Sequence, residues 1–251
     1  MVKVILSGCF GKMGRVIANC VSKRDDCQVV AGVDVFDGTA EFSVFKSFKD
    51  INISADVIID FSHPSTLPSL LEYAVQHKCP AVIATTGLSE EQIEKIHLAA
   101  KQIPIFFAAN MSIGVALVAE LAAKAAKVLE GSFDIEILEM HHNQKIDAPS
   151  GTALMLANTV SDALEEKPHY EFDRHSKRAK RDPHEIGIHA LRGGTVVGEH
   201  EVIFAGLDEV IKISHSARSK ELFAVGALNA AIFLHQKPAG LYNMKDLIAD
   251  K

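Results

Sequence analysis

Fourteen residues, Glu139-Met-His-His-Asn-Gln-Lys-Ile-Asp-Ala-Pro-Ser-Gly-Thr152, gather two adjacent histidines, a lysine, an aspartate and a helix opening into one short run. Imidazole titrates close to neutral pH, so His141 or His142 can exchange a proton during turnover. The ammonium of Lys145 can hold a carboxylate, or release a proton if a neighbouring charge lowers its pKa. Ser150 has the form of an N-cap, which leaves Gly151 and Thr152 in a first helical turn whose backbone N–H groups lack intrahelical acceptors. Such N–H groups bind anions, and Gly151 permits close approach. The combination suits a small anionic substrate that must be protonated. A solvated loop would account for any one of these residues, but not for the whole run.

The elements on either side place the run where chemistry is usually done. Residues 133–140 alternate and are β-branched, as a strand requires; residues 153–164 carry Leu154, Leu156, Ala157, Val160 and Leu164 at helical spacing. Polar residues at a strand-to-helix junction are positioned by two rigid elements.

A second signal lies at the start of the chain. Val2-Lys-Val-Ile-Leu-Ser7 reads as a short apolar strand, Gly8, Gly11 and Gly14 follow at three-residue spacing, and residues 15–21 have a helical pattern. Glycines there allow a tight turn and let a pyrophosphate approach backbone at the helix N-terminus. The spacing is G-x-x-G-x-x-G rather than the common G-x-G-x-x-G, because position 9 is Cys. A second apolar run, 28–33, ends in Asp34, placed to accept hydrogen bonds from an adenosine ribose. Strand, glycines, helix, strand and acid in this order point to dinucleotide binding.

The remaining chain alternates strands and helices as far as residue 110. Strands are expected at 55–60, 80–85 and 105–108, with helices at 66–77 and from Ser89, whose Ser-Glu-Glu-Gln92 has the form of a capping box. Past residue 111 come a long Ala-rich helix to 129, the His-His strand and its helix. A basic stretch, 165–183, reads as a mobile excursion. Three strand candidates (186–191, 196–205, 210–215) then follow without intervening helices, before an amphipathic helix at 219–236 and a short tail. The fold class is therefore α/β: an N-terminal Rossmann-type parallel sheet plus a second α+β domain with a mixed open sheet. The dinucleotide domain is expected at 1–110, with 219–251 packing back on it, and the substrate-binding and oligomerisation domain at 111–218.

Composition limits the alternatives. In 251 residues, 26 Lys and Arg stand against 32 Asp and Glu, a net charge of −6 that offers nothing to nucleic acid or an anionic membrane. Hydrophobic residues make up 48%, aromatic residues only 6%, and Trp is absent, so the cores are aliphatic. The four cysteines form no C-x-x-C pair and read as reduced, buried thiols. The first residues lack a signal-peptide layout and no apolar run reaches membrane-spanning length, which leads to a cytoplasmic expectation.

These motifs resemble those of the 4-hydroxy-tetrahydrodipicolinate reductase family, also called dihydrodipicolinate reductase. The resemblance rests on Glu139-x-His-His-x-x-Lys-x-Asp-Ala-Pro-Ser-Gly-Thr-Ala153. Gly8-x-x-Gly-x-Met-Gly14, Thr85-Thr-Gly87, Ala108-Ala-Asn110, Arg192-Gly-Gly-x-x-x-Gly-Glu-His200 and Phe223-Ala-x-Gly-Ala227 follow the family's order. It implies that Gly8, Cys9, Phe10, Gly11, Lys12 and Met13 hold the pyrophosphate and Asp34 the adenosine ribose. Ala84, Thr85 and Thr86 with Ala108, Ala109, Asn110 and Met111 would hold the nicotinamide half. His141 would be the proton donor and acceptor and Lys145 a proton donor, while His142, Gly151 and Thr152 grip the carboxylates of a cyclic dicarboxylate substrate. The implied reaction removes water from a cyclic hydroxy-imino dicarboxylate and delivers hydride from NAD(P)H, within the diaminopimelate route to lysine. A homotetramer built through the second domain's sheet is also implied.

Two positions depart from the family pattern. Many members carry a basic residue just after the ribose-binding acid, where this chain has Asp34-Val-Phe-Asp37. Like charge there opposes a 2′-phosphate, so NADH is expected to be preferred, by roughly tenfold or more, with NADPH still usable. Near residue 219 many members have Ser-Arg, whereas this chain has Ser219-Lys220 with its arginine at Arg218. Rival readings are a His-ligated metalloenzyme using Glu139, His141, His142, His189, Glu199 and His200, and a non-catalytic NAD-sensing module. Adjacent histidines on a strand point in different directions and no H-x-x-x-H spacing occurs, so no metal is expected. A sensor would leave Lys145 and the helix-start anion site without a purpose.

Overall fold

The computed structural model describes residues 1–250. In chain order the elements are β1 (Val2–Ser7), α1 (Lys12–Val21), β2 (Cys27–Val33), β3 (Ser43–Phe45), β4 (Val57–Asp60), α2 (Leu67–Gln76), β5 (Ala81–Ile83), α3 (Glu90–Ala100) and β6 (Pro104–Phe107). There follow α4 (Ile113–Leu129), β7 (Asp134–His141), α5 (Gly151–Ala163), β8 (His169–Glu171), β9 (Glu185–Arg192), β10 (Gly198–Ala205) and β11 (Val210–Ala217). The chain closes with α6 (Glu221–Leu234), β12 (Gly240–Tyr242) and α7 (Met244–Ala249). Two compact units result, Met1–Ile113 with Lys220–Lys251, and Gly114–Ser219.

The first unit holds a seven-stranded sheet in the order β12-β6-β5-β4-β1-β2-β3, with every pairing parallel. The direction of winding reverses at β1, which pairs with β2 on one side and β4 on the other. In sheets of this kind the crevice outside the carboxyl ends at the reversal is where a ligand binds. Both faces are covered, which is why the strands are continuously apolar. Ile5, Ile58, Ala81 and Ile83 join Leu70, Ala74 and Ile96 of α2 and α3 in one core. The alternate residues Val4, Leu6, Val57, Ile59 and Val82 are equally inaccessible on the opposite face. Helix α6 packs on α1 and on β4, β5 and β6.

Several expectations are corrected here. Helix α6 is not amphipathic: Ala224, Gly226, Ala227, Leu228, Ala230, Ala231 and Leu234 are buried around most of its circumference. A Cβ at Gly226 would fall 1.7 Å from the Met111 carbonyl oxygen, so a side chain is impossible there. The short tail carries two elements: β12 extends the sheet beside β6, and α7 has a full capping box at Asn243. Strand β3 was not expected from sequence; three residues carry too little pattern to register. The capping box at Ser89 forms as expected, with Gln92 answering the cap.

The second unit holds a five-stranded mixed sheet, β11-β10-β7-β9-β8. β10 is antiparallel to both β7 and β11, whereas β7, β9 and β8 are mutually parallel. One face presents Ile135, Ile137, Ile186, Ile188, Val202 and Phe204 to Val118, Ala122 and Ala126 of α4 and Leu156, Ala157 and Val160 of α5. The other face carries polar residues such as Glu136, His189, Glu201 and Lys212. The basic stretch 165–183 contains β8 and is tied to the sheet. Arg181 and Arg174 both engage Glu136, and Lys177 pairs with Glu171. Charge excess that reads as solvated in one dimension is thus matched by acids on β7, β8 and β9.

Candidate active site

The glycine loop joins β1 to α1 by backbone contacts that side chains would prevent. Gly8 sits at φ +76, and a Cβ on it would lie 2.7 Å from the Phe61 carbonyl oxygen. A Cβ on Gly14 would lie 2.1 Å from the Gly8 carbonyl oxygen, so the helix rests directly on the loop. Gly11 is the N-cap of α1, contributes no capping side chain, and is followed by a first turn without an acid. The first-turn N–H groups of Lys12 and Met13 are thereby left for an anion. Cys9 contributes only backbone to this loop. Its thiol is buried against Gly32, and burial together with the Asp34 charge pushes it up to about 11.

Asp34 follows β2 and is nearly inaccessible. One carboxylate oxygen accepts the Phe10 N–H at 2.8 Å and the other the Phe36 N–H at 3.0 Å, so it clamps the glycine loop to the turn after β2. Each oxygen keeps lone-pair capacity for a further donor. A cavity of about 430 Å³ opens here, lined among others by Gly8, Gly11, Asp34, Phe36, Lys46 and Ser62. Lys46, just past β3, brings to Asp37 a cation that the Asp34-Val-Phe-Asp37 run does not itself contain. Its Nζ donates to the carbonyls of Val35 and Phe36 and to Asp37 Oδ1 at 2.7 Å. Val35 and Phe36 themselves are exposed apolar groups, 74% and 71% accessible, a ready surface for a flat ring.

At the carboxyl ends of β4, β5 and β6 the other expected residues fall in one row. Ala84 N–H donates to the Asp60 carbonyl, and Ala108 N–H to the Ile83 carbonyl. The Thr85 hydroxyl donates to Asp60 Oδ2 at 2.6 Å and accepts the Ser62 N–H, while the Ser62 hydroxyl donates to Asp60 Oδ1 at 2.6 Å. Burial drives the Asp60 carboxyl upward in spite of these donors. Thr86 is exposed, and Asn110 Oδ1 accepts the Ser112 N–H. Ala109 directly precedes Asn110 in the turn after β6. Met111 is buried, so it offers backbone rather than side chain.

In the second unit His141 ends β7 and is 8% exposed. Its Nδ1 lies 2.6 Å from Glu139 Oε2, and Glu139 is wholly inaccessible. Arg192, at the end of β9, donates to both Glu139 oxygens at 2.8 Å, and the Ser150 N–H donates to Oε1 at 3.0 Å. Burial pushes the Glu139 carboxyl up, but the donors from Arg192, His141 and Ser150 outweigh it and hold the group below the usual glutamate range. The Ser150 hydroxyl caps α5 by accepting the Ala153 N–H and meets His200 Nε2 at 3.0 Å. Burial, with His141 as the next contributor, lowers His200 to about 4, so this imidazole is neutral. The two rings meet edge to face at 5.1 Å.

Lys145 pairs with Asp147 at 2.8 Å and Arg192 donates to the Asp147 carbonyl, which draws the loop back over Glu139. His142, next to His141 but beyond the strand, is half-buried; Gly151 and Thr152 form the first turn of α5. Of the residues of the metal reading, Glu139, His141 and His200 lie together, but the others do not join them. His189 turns to Glu136 on the polar face, Glu199 accepts from Ser216, and among the described residues no group of three His, Cys, Asp or Glu is arranged to hold a metal ion. Glu139 was visible in sequence only as a motif residue. Its i, i+2 spacing from His141 on a strand was the signal that the two share a face. Arg192 and His200 bound the Arg192-Gly-Gly-x-x-x-Gly-Glu-His200 run, but nothing in that run says that they reach Glu139 and Ser150.

A Rossmann-type unit with a glycine-loop helix start, and a second unit bearing a buried histidine–carboxylate pair beside the start of α5, belong to an NAD(P)H-dependent oxidoreductase. The family profiles described as dihydrodipicolinate reductase, N-terminus and C-terminus, match residues 2–111 and 114–248. The chain belongs to the dihydrodipicolinate reductase family. It is 53% identical to 4-hydroxy-tetrahydrodipicolinate reductase of Caldanaerobacter subterraneus subsp. tengcongensis, over 99% of this chain and 98% of that one. It is 50% identical to the enzyme of the same name from Clostridium tetani, over 97% and 96%. Among solved structures, dipicolinate-bound dihydrodipicolinate reductase from Paenisporosarcina sp. TG-14 superposes with a TM-score of 0.81 at 26% identity, over 97% of each chain. No helix among the described residues is long and apolar enough to cross a membrane.

Proposed function

We propose that this chain reduces 4-hydroxy-tetrahydrodipicolinate to tetrahydrodipicolinate in the diaminopimelate route to lysine, with His141 and Lys145 serving proton transfer. The observation that carries it is the buried Glu139–His141 pair beside the α5 N-terminus. The donors of Lys145, His142, Gly151 and Thr152 suit the two carboxylates of the substrate, because cations and helix-start N–H groups bind carboxylate oxygens with charge-assisted hydrogen bonds. When bound at the glycine loop, a reduced nicotinamide cofactor supplies the hydride. The protein's task is then to hold the ring by its carboxylates and deliver a proton to the carbon next to the one reduced. Val35 and Phe36 would flank the adenine and Asp34 the ribose. NADH is the proposed better donor. Lys46, by neutralising Asp37, narrows the gap to NADPH below the tenfold expected from local sequence charge. A homotetramer is part of the proposal, tested by light scattering of the purified protein.

The deciding experiment is reduction of enzymatically generated substrate, followed by oxidation of NADH and NADPH in parallel. Dipicolinate, which carries both carboxylates, is expected to compete with substrate, and the monocarboxylate picolinate to compete far more weakly. Equal inhibition by the two would remove the two-anchor picture, and absence of turnover with either cofactor would remove the activity.

A further inference from the structure

Resting on the reading of His141 as the proton-exchanging group, we propose that Glu139 is its positioning residue: it fixes the hydrogen on Nδ1 and leaves Nε2 as the atom that carries protons to and from substrate. Arg192 completes the device by holding the carboxylate in place.

Four observations lead there. Glu139 is fully inaccessible, yet each of its oxygens takes two donors: Arg192 and the Ser150 N–H on Oε1, Arg192 and His141 on Oε2. A buried carboxylate with a bidentate guanidinium and a backbone N–H is stable as the anion, since its charge is both paired and hydrogen-bonded. An anionic carboxylate can only accept, so the 2.6 Å contact places the hydrogen on His141 Nδ1. Last, the opposite nitrogen faces Gly198 of β10, which leaves it uncovered only because it has no side chain: a Cβ there would come 3.0 Å from Nε2.

The consequences follow from proton bookkeeping. As the imidazolium, His141 carries hydrogens on both nitrogens. Donation breaks the Nε2–H bond and forms a C–H bond on substrate, and the ring is left neutral with its hydrogen still on Nδ1. No rearrangement is needed before Nε2 takes up the next proton. Glu139 itself never touches substrate and stays ionised throughout. His200 does not compete for the role, because it sits behind Ser150 and is neutral.

Glu139→Gln is the informative change. The amide oxygen, placed at Oε1, keeps the Ser150 N–H and one Arg192 bond. The amide nitrogen then faces His141 Nδ1 and can only donate to it, which forces the hydrogen to Nε2. Holding a catalytic imidazole in the wrong tautomer typically costs on the order of 10⁴-fold in kcat in hydrolases that use the same carboxylate–imidazole arrangement. For the full-length variant we expect kcat lower by about 10²–10⁴-fold, with dipicolinate affinity by calorimetry unchanged.

Combined with His141→Gln, the second substitution should cost nothing more, because a group that acts only through His141 is silent once His141 is gone. Independent, additive losses would overturn the positioning role, as would near-normal turnover of Glu139→Gln. Should His141→Gln alone retain normal turnover, the proton-exchange reading on which this rests falls instead, so the two failures are distinct. Neutron diffraction from the unmodified protein at mildly alkaline pD keeps the test decisive if a variant does not fold. A deuteron on His141 Nδ1 and none on Glu139 is expected, and a bare Nδ1 or a deuterated carboxyl refutes the assignment.

Discussion

Gly198→Ala probes the proposed proton-exchanging face of His141 with a single methyl group. Gly198 begins β10, and its Cβ would lie 3.0 Å from His141 Nε2 and 3.4 Å from Cδ2. Ordinary contact begins near 3.4 Å, so the ring must retreat by a few tenths of an ångström. A reacting group misplaced by about 1 Å costs on the order of 10²-fold, which scales to roughly five- to tenfold for this displacement. The methyl group also covers part of Nε2, so the larger figure is expected in kcat. Ring movement is resisted by the Glu139 contact at 2.6 Å and by His200 at 5.1 Å, which leaves the side chain little freedom to adjust. Stability should hold, because alanine in a strand is favoured over glycine, by at most roughly 0.5–1 kcal/mol at this first position of β10, and no left-handed backbone is involved. The assay is steady-state NADH oxidation with a parallel thermal melt. Full kcat in a well-folded Gly198→Ala protein would refute the assignment of Nε2 as the exchanging atom. A large loss of Tm would show that packing, rather than access, is what glycine provides.

Other outcomes follow from the same geometry. His141→Gln and Lys145→Ala should each lower kcat by about 10²–10⁴-fold while NADH affinity, measured by fluorescence titration, stays constant. Thr152→Val should weaken dipicolinate binding in the same titration format. Lys46→Ala should reduce kcat/KM for NADPH by about tenfold and for NADH much less, because the exposed pair with Asp37 is weak and yields the ammonium to a phosphate; equal losses for both cofactors would contradict this. His200 is lowered to about 4 when folded, against about 6.5 when unfolded. Between these values the unfolded chain binds the extra proton, so stability should fall as pH drops from about 6.5 to 4, by about 3 kcal/mol in all. Asp60, raised by burial, acts in the opposite sense near the acid end. Urea denaturation of the wild type against His200→Gln isolates the histidine, and identical pH slopes for the two would refute it.

Local pattern carried far in this chain. The G-x-x-G-x-x-G spacing could be read because each glycine answers a short-range demand: a positive φ at Gly8 and a backbone contact between Gly14 and Gly8. Ser150 could be read as an N-cap because capping depends on the next three residues alone. The strand-to-helix junction bearing His141 and Lys145 followed from two adjacent periodicities. What failed locally failed for definite reasons. Helix α6 is apolar around most of its surface, and a periodicity test cannot tell such a helix from an amphipathic one when a few polar residues fall on one side. The stretch 165–183 appeared as a solvated excursion because the acids that bind Arg174 and Arg181 lie on strands either side of it.

The candidate cofactor and catalytic segments were therefore legible in the sequence itself, but their electrostatics were not. Lys46 reaches Asp37 only because β3 pairs parallel to β2, a register that three residues cannot announce. Glu139, Arg192 and His200 come from β7, β9 and β10, and they meet His141 because Arg192 pairs with His141, and Glu139 with His200, across the ladder. Cross-strand pairing is set by the burial of whole sheet faces, and a shift of one residue would turn every one of these side chains to the other side. Which residues could do chemistry is a property of type and spacing; which of them hold the others in position is decided by register, and register exists only in the folded sheet.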